Sequence, residues 1–133
     1  MKNKKFWWSV CAVWIGMMAS SWFFHSLWLG PVYQATSQFW RPDAEMQQLM
    51  PVMWAGYFVF SWAFVWIYTK GVTNDNPWWQ AFRYAGAIIL VSQIPHLAVQ
   101  WATNPYPVDL IMKWLVVDVI QAMFCAFIMT WAY

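Results

Sequence analysis

The sequence predicts an all-α fold, a bundle of four transmembrane helices with both termini cytoplasmic and a tight hairpin between helices three and four. Three observations carry that prediction. Of 133 residues, 62% are hydrophobic and 23% aromatic, but only 9% are charged. A soluble domain carries about a quarter charged residues, and so few charges cannot cover a small globule in water. Disorder is excluded by the same composition, because it needs low hydrophobicity and high charge. Four stretches are also long enough to span, since a helix rises ~1.5 Å per residue and the hydrocarbon core measures ~30 Å. Finally, the basic residues divide unequally between alternate connections. At this length one integral membrane domain is expected.

The first span covers about 6–29 and ends at Gly30-Pro31, a helix-stopping pair. Its apolar stretch is too long for a cleavable signal peptide, and no small-residue cleavage site follows. The longest connection, 30–45, contains Arg41-Pro42-Asp43-Ala44-Glu45, with Pro at the first helical position and acids in the first turn. An interfacial helical turn over about 42–50 is therefore expected, then a kink at Pro51, then the second span over 47–69. Asn76-Pro77 is a cap for the third span, 81–103. The tetrapeptide Asn104-Pro105-Tyr106-Pro107 makes the hairpin to the fourth span, 108–131.

With the N-terminus in the cytoplasm, that side receives Lys2, Lys4, Lys5, Lys70 and Arg83, and the opposite side only Arg41 and Lys113. This is the positive-inside bias, and it sets the long 30–45 connection outward in a bacterial inner membrane. The net charge of +2 is too small and scattered for nucleic acid. Cys11 and Cys125 lie inside apolar stretches and form neither a disulfide framework nor a zinc spacing.

The chain is tryptophan-rich, with 14. Trp7, Trp8, Trp66, Trp78, Trp79 and Trp131 fall near one interface and Trp28, Trp40, Trp54, Trp101 and Trp114 near the other, as in an aromatic belt. Trp14, Trp22 and Trp62 lie deeper. A ligand-stacking role is the alternative.

Polar groups inside the spans are the candidates for chemistry. Asp118 lies ~15 Å from the start of its helix, close to the midplane, where an ionised carboxylate costs at least ~2.5 kcal/mol. It should be protonated or paired inside the bundle. Gln93, His96 and Gln100 share one face of helix three, and Asp118, Gln121 and Cys125 repeat that spacing on helix four. Two such stripes argue for a shared interior. Pro95 leaves the Val91 carbonyl without its amide donor, so that carbonyl needs another partner. The stripes then form either a protonatable interior site for a proton, ion or ligand, or a set of hydrogen bonds that hold the hairpin together.

His25 and His96, at nearly matched depth on different helices, are candidate axial ligands for a haem or ligands for copper. Nine methionines, including Met17-Met18 and Met50-x-x-Met53, suit a soft metal but also fill apolar cores. Arg41, Asp43 and Glu45 form the clustered charges of the outer connections, which capping and headgroup contact explain. Gly16-x-x-Ala19-Ser20, Ala55-Gly56 and Ala81-x-x-x-Ala85-Gly86 are positions for close helix approach. No nucleophile–base pair, phosphate loop, zinc motif or lipidation signal is present, which speaks against an enzyme of a familiar hydrolase or kinase type.

The run Phe24-His25-Ser26-Leu27-Trp28-Leu29-Gly30-Pro31-Val32-Tyr33, followed by Phe39-Trp40-Arg41-Pro42-Asp43-Ala44-Glu45-Met46, resembles small four-helix bacterial integral membrane proteins of unknown function. Thr69-Lys70-Gly71, Phe82-Arg83-Tyr84-Ala85-Gly86 and Lys113-Trp114 resemble the same group. The resemblance implies a four-helix membrane fold and no particular activity. Val116-Val117-Asp118 stand where that group has glycines in mid-helix four, so close packing of this helix is not implied.

Two functions are expected from these readings. The first is a non-catalytic accessory or assembly subunit of a larger energy-transducing or oxidative complex, with the lipid bilayer and other membrane subunits as partners. The second is a small binding or translocating membrane protein using Asp118, Gln93 and His96, or a haem- or copper-binding one.

Overall fold

The computed structural model describes residues 2–133, the side chain of Lys2 excepted, and every regular element among them is helical. Helix α1 (Lys2–Trp22) continues into a π turn, Phe23–Trp28. A short α2 (Gly30–Ala35) and a 3₁₀ turn (Ser37–Phe39) lead to α3 (Asp43–Lys70). Next come α4 (Pro77–Ile88), a second π turn (Ile89–Gln93), α5 (Ile94–Thr103) and α6 (Val108–Ala132). Four helical stretches are long and apolar enough to cross a membrane: Asn3–Trp28, Asp43–Lys70, Pro77–Thr103 and Val108–Ala132. This is the architecture of a multi-pass helical membrane protein.

The ends of these helices follow from local chemistry. The Asn76 side chain accepts hydrogen bonds from the Trp78 and Trp79 backbone amides at 2.9 and 3.3 Å, so the third span begins at Pro77, before the expected 81. The expected interfacial turn and second span are one helix. It starts at Asp43, with Pro42 as its N-cap residue, and runs through Pro51 without interruption. Pro51 removes the bond to the Gln47 carbonyl, but Gln47 is exposed near the start of the helix, where water or headgroups replace that donor. Pro95 takes effect differently. The helix widens just before it, and the Ile94 amide bonds to the Ile89 carbonyl five residues back.

The core occupies the half of the bundle nearest Lys2 and Tyr133, hereafter the near end. Val10 and Val13 of α1 meet Phe64, Val65 and Tyr68 of α3, Ala81 and Ala85 of α4, and Ala122, Cys125, Ala126 and Met129 of α6. Small residues let the backbones approach at two places. Ala81 and Ala85 are fully buried, and a Cβ built on Gly16 would stand 2.4 Å from Ile128 Cδ1. Ala55-Gly56, expected at a helix contact, instead lie exposed, with nothing within 4 Å of a Cβ on Gly56. The Tyr84 hydroxyl donates to the Phe64 carbonyl at 2.5 Å and so ties the third span to the second. Gln80 staples the 71–76 connection, donating to the Gly71 carbonyl (2.9 Å) and accepting from the Thr73 amide (3.3 Å).

Toward the far end the bundle opens. Every residue of α3 from Asp43 to Gly56 is exposed, and its packing begins in earnest at Ser61. Trp14 bridges this gap once, donating its indole N–H to the Trp54 carbonyl at 3.1 Å and meeting Phe58 edge-on.

Candidate functional site at the far end of the bundle

The polar interior is built along the α6 face formed by Trp114, Asp118, Gln121 and Cys125, spaced four, three and four residues apart. The half of this face nearer the core turns to α1. Gln121 donates to Ser20 Oγ at 3.1 Å and to Ser21 Oγ at 2.9 Å. One turn nearer the core, Cys125 Sγ lies 4.0 Å from Met17 Sδ. Followed one turn outward, that register brings His25 to about the level of Asp118.

At the outer limit of this face the chain folds back over the bundle. The Trp114 indole N–H donates to the Tyr33 hydroxyl at 2.8 Å, and that hydroxyl lies 2.6 Å from His25 Nδ1. An indole can only donate, so the Tyr33 oxygen accepts from Trp114, while the direction of the bond to His25 is set by the imidazole tautomer. The rings of His25 and Tyr33 lie nearly parallel, 4° apart. Tyr33 also meets Trp40 edge-on; Trp40 stacks on Tyr106, and both touch Trp114. Thr36 anchors the fold-back, donating to the Val32 carbonyl (2.7 Å) and accepting from the Trp40 indole (3.0 Å). Trp40 and Trp114, expected in the belt, therefore sit half-buried in an aromatic cap. Trp28, Trp54 and Trp101 are exposed.

Asp118 is half-buried; among the described residues no hydrogen bond joins its side chain, and since no buried side-chain oxygen there lacks a partner, its carboxyl oxygens reach the accessible surface. On α5, His96 is the ionisable side chain nearest in sequence to the π turn that packs on α6. The Asp118 charge reaches Tyr33, where burial lifts the phenol above the ordinary value of 10, the Trp114 bond opposes that, and Tyr57 and Asp118 add to the rise.

The remaining candidates fall elsewhere. Gln93 is half-buried at the end of the second π turn, and His96 is exposed. Gln100 Oε1 accepts from Asn104 Nδ2 at 3.0 Å and closes the end of α5, away from Asp118. His25 Nδ1 faces the Tyr33 hydroxyl, so Nε2 is a ligating atom only in the tautomer whose hydrogen sits on Nδ1. Among the described residues no three His, Cys, Asp or Glu side chains gather as metal ligands. Arg41 and Glu45 form an exposed pair at 3.4 Å one helical turn apart, and Asp43 opens α3.

Tyr33, Ser20 and Ser21 are the site residues that the sequence reading missed. Trp114 falls four residues before Asp118, so helical spacing extends the stripe to it. Nothing local signals that Tyr33 returns to that level. The chain matches no family model, no curated protein and no solved structure.

Proposed function

We propose that this chain is a small protein of the bacterial inner membrane that binds or translocates a proton-carrying solute at Asp118. One observation carries the reading. On a single α6 face Trp114 bonds to Tyr33 of α2 while Gln121 and Cys125 meet α1, and the Asp118 side chain between them makes no hydrogen bond among the described residues. Interhelical hydrogen bonds are what relieve a polar group of its cost inside a bilayer. An ionisable side chain within a span is by default a candidate for proton or solute handling. The first and third spans each contain a π turn, Phe23–Trp28 and Ile89–Gln93. Such bulges occur often at functional sites.

The basic residues favour an orientation with the near end cytoplasmic, so that the aromatic cap faces outward. A direct test uses the protein in sealed vesicles loaded with a pH-sensitive dye. After an imposed pH jump, wild-type vesicles are expected to equilibrate faster than vesicles carrying Asp118→Asn. Equal rates for the two, with equal protein content, would contradict the reading.

A second reading is favoured by α3. Its first fourteen residues are exposed at every position, including Met46, Leu49, Met50, Val52, Met53 and Trp54. This suits an accessory subunit whose second span leans on a larger membrane complex. Co-migration with larger subunits on a native gel in mild detergent supports it; a lone species of the chain's own size contradicts it.

A further inference from the structure

We propose that the groove between the end of α3 and the start of α4 binds the phosphate of an anionic phospholipid, with Arg83 as the recognising cation. The groove encloses about 300 Å³ and is lined by Ile67, Tyr68, Gly71, Gln80, Arg83 and Tyr84. Most of its polar groups are already engaged. The Tyr84 hydroxyl is committed to the Phe64 carbonyl, and the Gln80 amide to the 71–76 connection. Arg83 differs. Its Nη2 is held by Asp75, which the Thr73 hydroxyl also fixes. A guanidinium has five N–H donors in a planar fork, so the pair with Asp75 orients the group and leaves further donors for a phosphate.

Two features select a lipid over a dissolved anion. The groove walls are largely apolar side chains, and Trp79 and Phe82 stack beside it on the exposed face of α4. An acyl chain gains from such walls and a small ion does not. The near end also carries Lys4, Lys5, Lys70 and Arg83 against a single acidic side chain, Asp75. Basic pockets between spans are a recurrent way to hold anionic headgroups. Lys70 does not line the groove, and its ammonium lies 5.3 Å from the centre of the Trp66 ring.

The test is lipid retention by the full-length protein in detergent, read by native mass spectrometry. Phosphatidylglycerol and phosphatidylcholine with identical acyl chains are titrated separately. Retention of phosphatidylglycerol is expected to exceed that of phosphatidylcholine, and Arg83→Gln is expected to lower it about tenfold, the worth of a charge-assisted hydrogen bond. Lys70→Gln removes the same charge outside the groove and should change little. Ile67→Trp fills the groove at constant charge and should lower retention even if Arg83→Gln fails to fold. Equal retention of the two lipids, equal loss in the Arg83 and Lys70 variants, full retention by Ile67→Trp, or displacement by an equal concentration of inorganic phosphate would each overturn the proposal.

Discussion

Tyr33 and Trp114 stand 81 residues apart in the chain and are joined by a 2.8 Å hydrogen bond from the indole N–H to the phenol oxygen. Through this bond the 30–42 connection becomes a cover on the far end of the bundle. The Tyr33 hydroxyl serves two partners at once, since His25 Nδ1 lies 2.6 Å away.

Tyr33→Phe removes both bonds and keeps the ring. The variant is expected to lose about 1–2 kcal/mol of stability, because two partly buried polar groups are left without partners. Reversible unfolding in mixed micelles measures this. The double change Tyr33→Phe with Trp114→Phe is expected to cost less than the sum of the single changes, since the two residues share one bond.

Gln121 joins α6 to two serines of α1, and hydrogen bonds between spans average about 0.6 kcal/mol each. Gln121→Leu should therefore cost roughly 1 kcal/mol, with Ser20→Ala and Ser21→Ala each costing about half of that. The same unfolding measurement reads all three.

Gly16 sets the approach of α1 to α6, where an added Cβ would lie 2.4 Å from the tip of the Ile128 side chain. Ile128 can yield to one methyl, so Gly16→Ala is expected to be mild. Gly16→Leu should cost about 1–3 kcal/mol, the range for overpacking a core. Gly56→Leu, with open space around it, serves as the control.

Asp75 predicts a pH response at the near end. Hydrogen bonds from Arg83 and Thr73, and then the Arg83 charge, hold its carboxyl below the ordinary 3.8. A depressed carboxylate value means that the tether is present above 3.8 and is released as the pH falls through the lower folded value. Carbon NMR of the Asp75 carboxyl should show a midpoint below 3.8, and Arg83→Gln should return it toward that value.

The spans were readable because hydrophobic length is a local property, and the Asn76-Pro77 cap because capping acts within three residues. Pro51 lies within one continuous helix, so the interfacial turn and the span that the sequence separates are a single element. The π turns have no counterpart in composition or periodicity. For the site, helical spacing placed Asp118, Gln121 and Cys125 on one face but did not say which neighbour that face meets. Ser20 reads as a small packing residue and Ser21 carries no signal of its own, yet both take up Gln121. Tyr33 lay beyond reach, because its role depends on the connection folding back onto a helix that begins 75 residues later.

The central claim is that Asp118 exchanges a proton within the membrane-spanning part of the bundle. Infrared difference spectroscopy between acidic and alkaline samples of the reconstituted protein tests it most directly. A protonated-carboxyl band should come and go with pH in the wild type, should be absent in Asp118→Asn, and should shift its midpoint in His96→Ala. Identical difference spectra for wild type and Asp118→Asn would contradict the account.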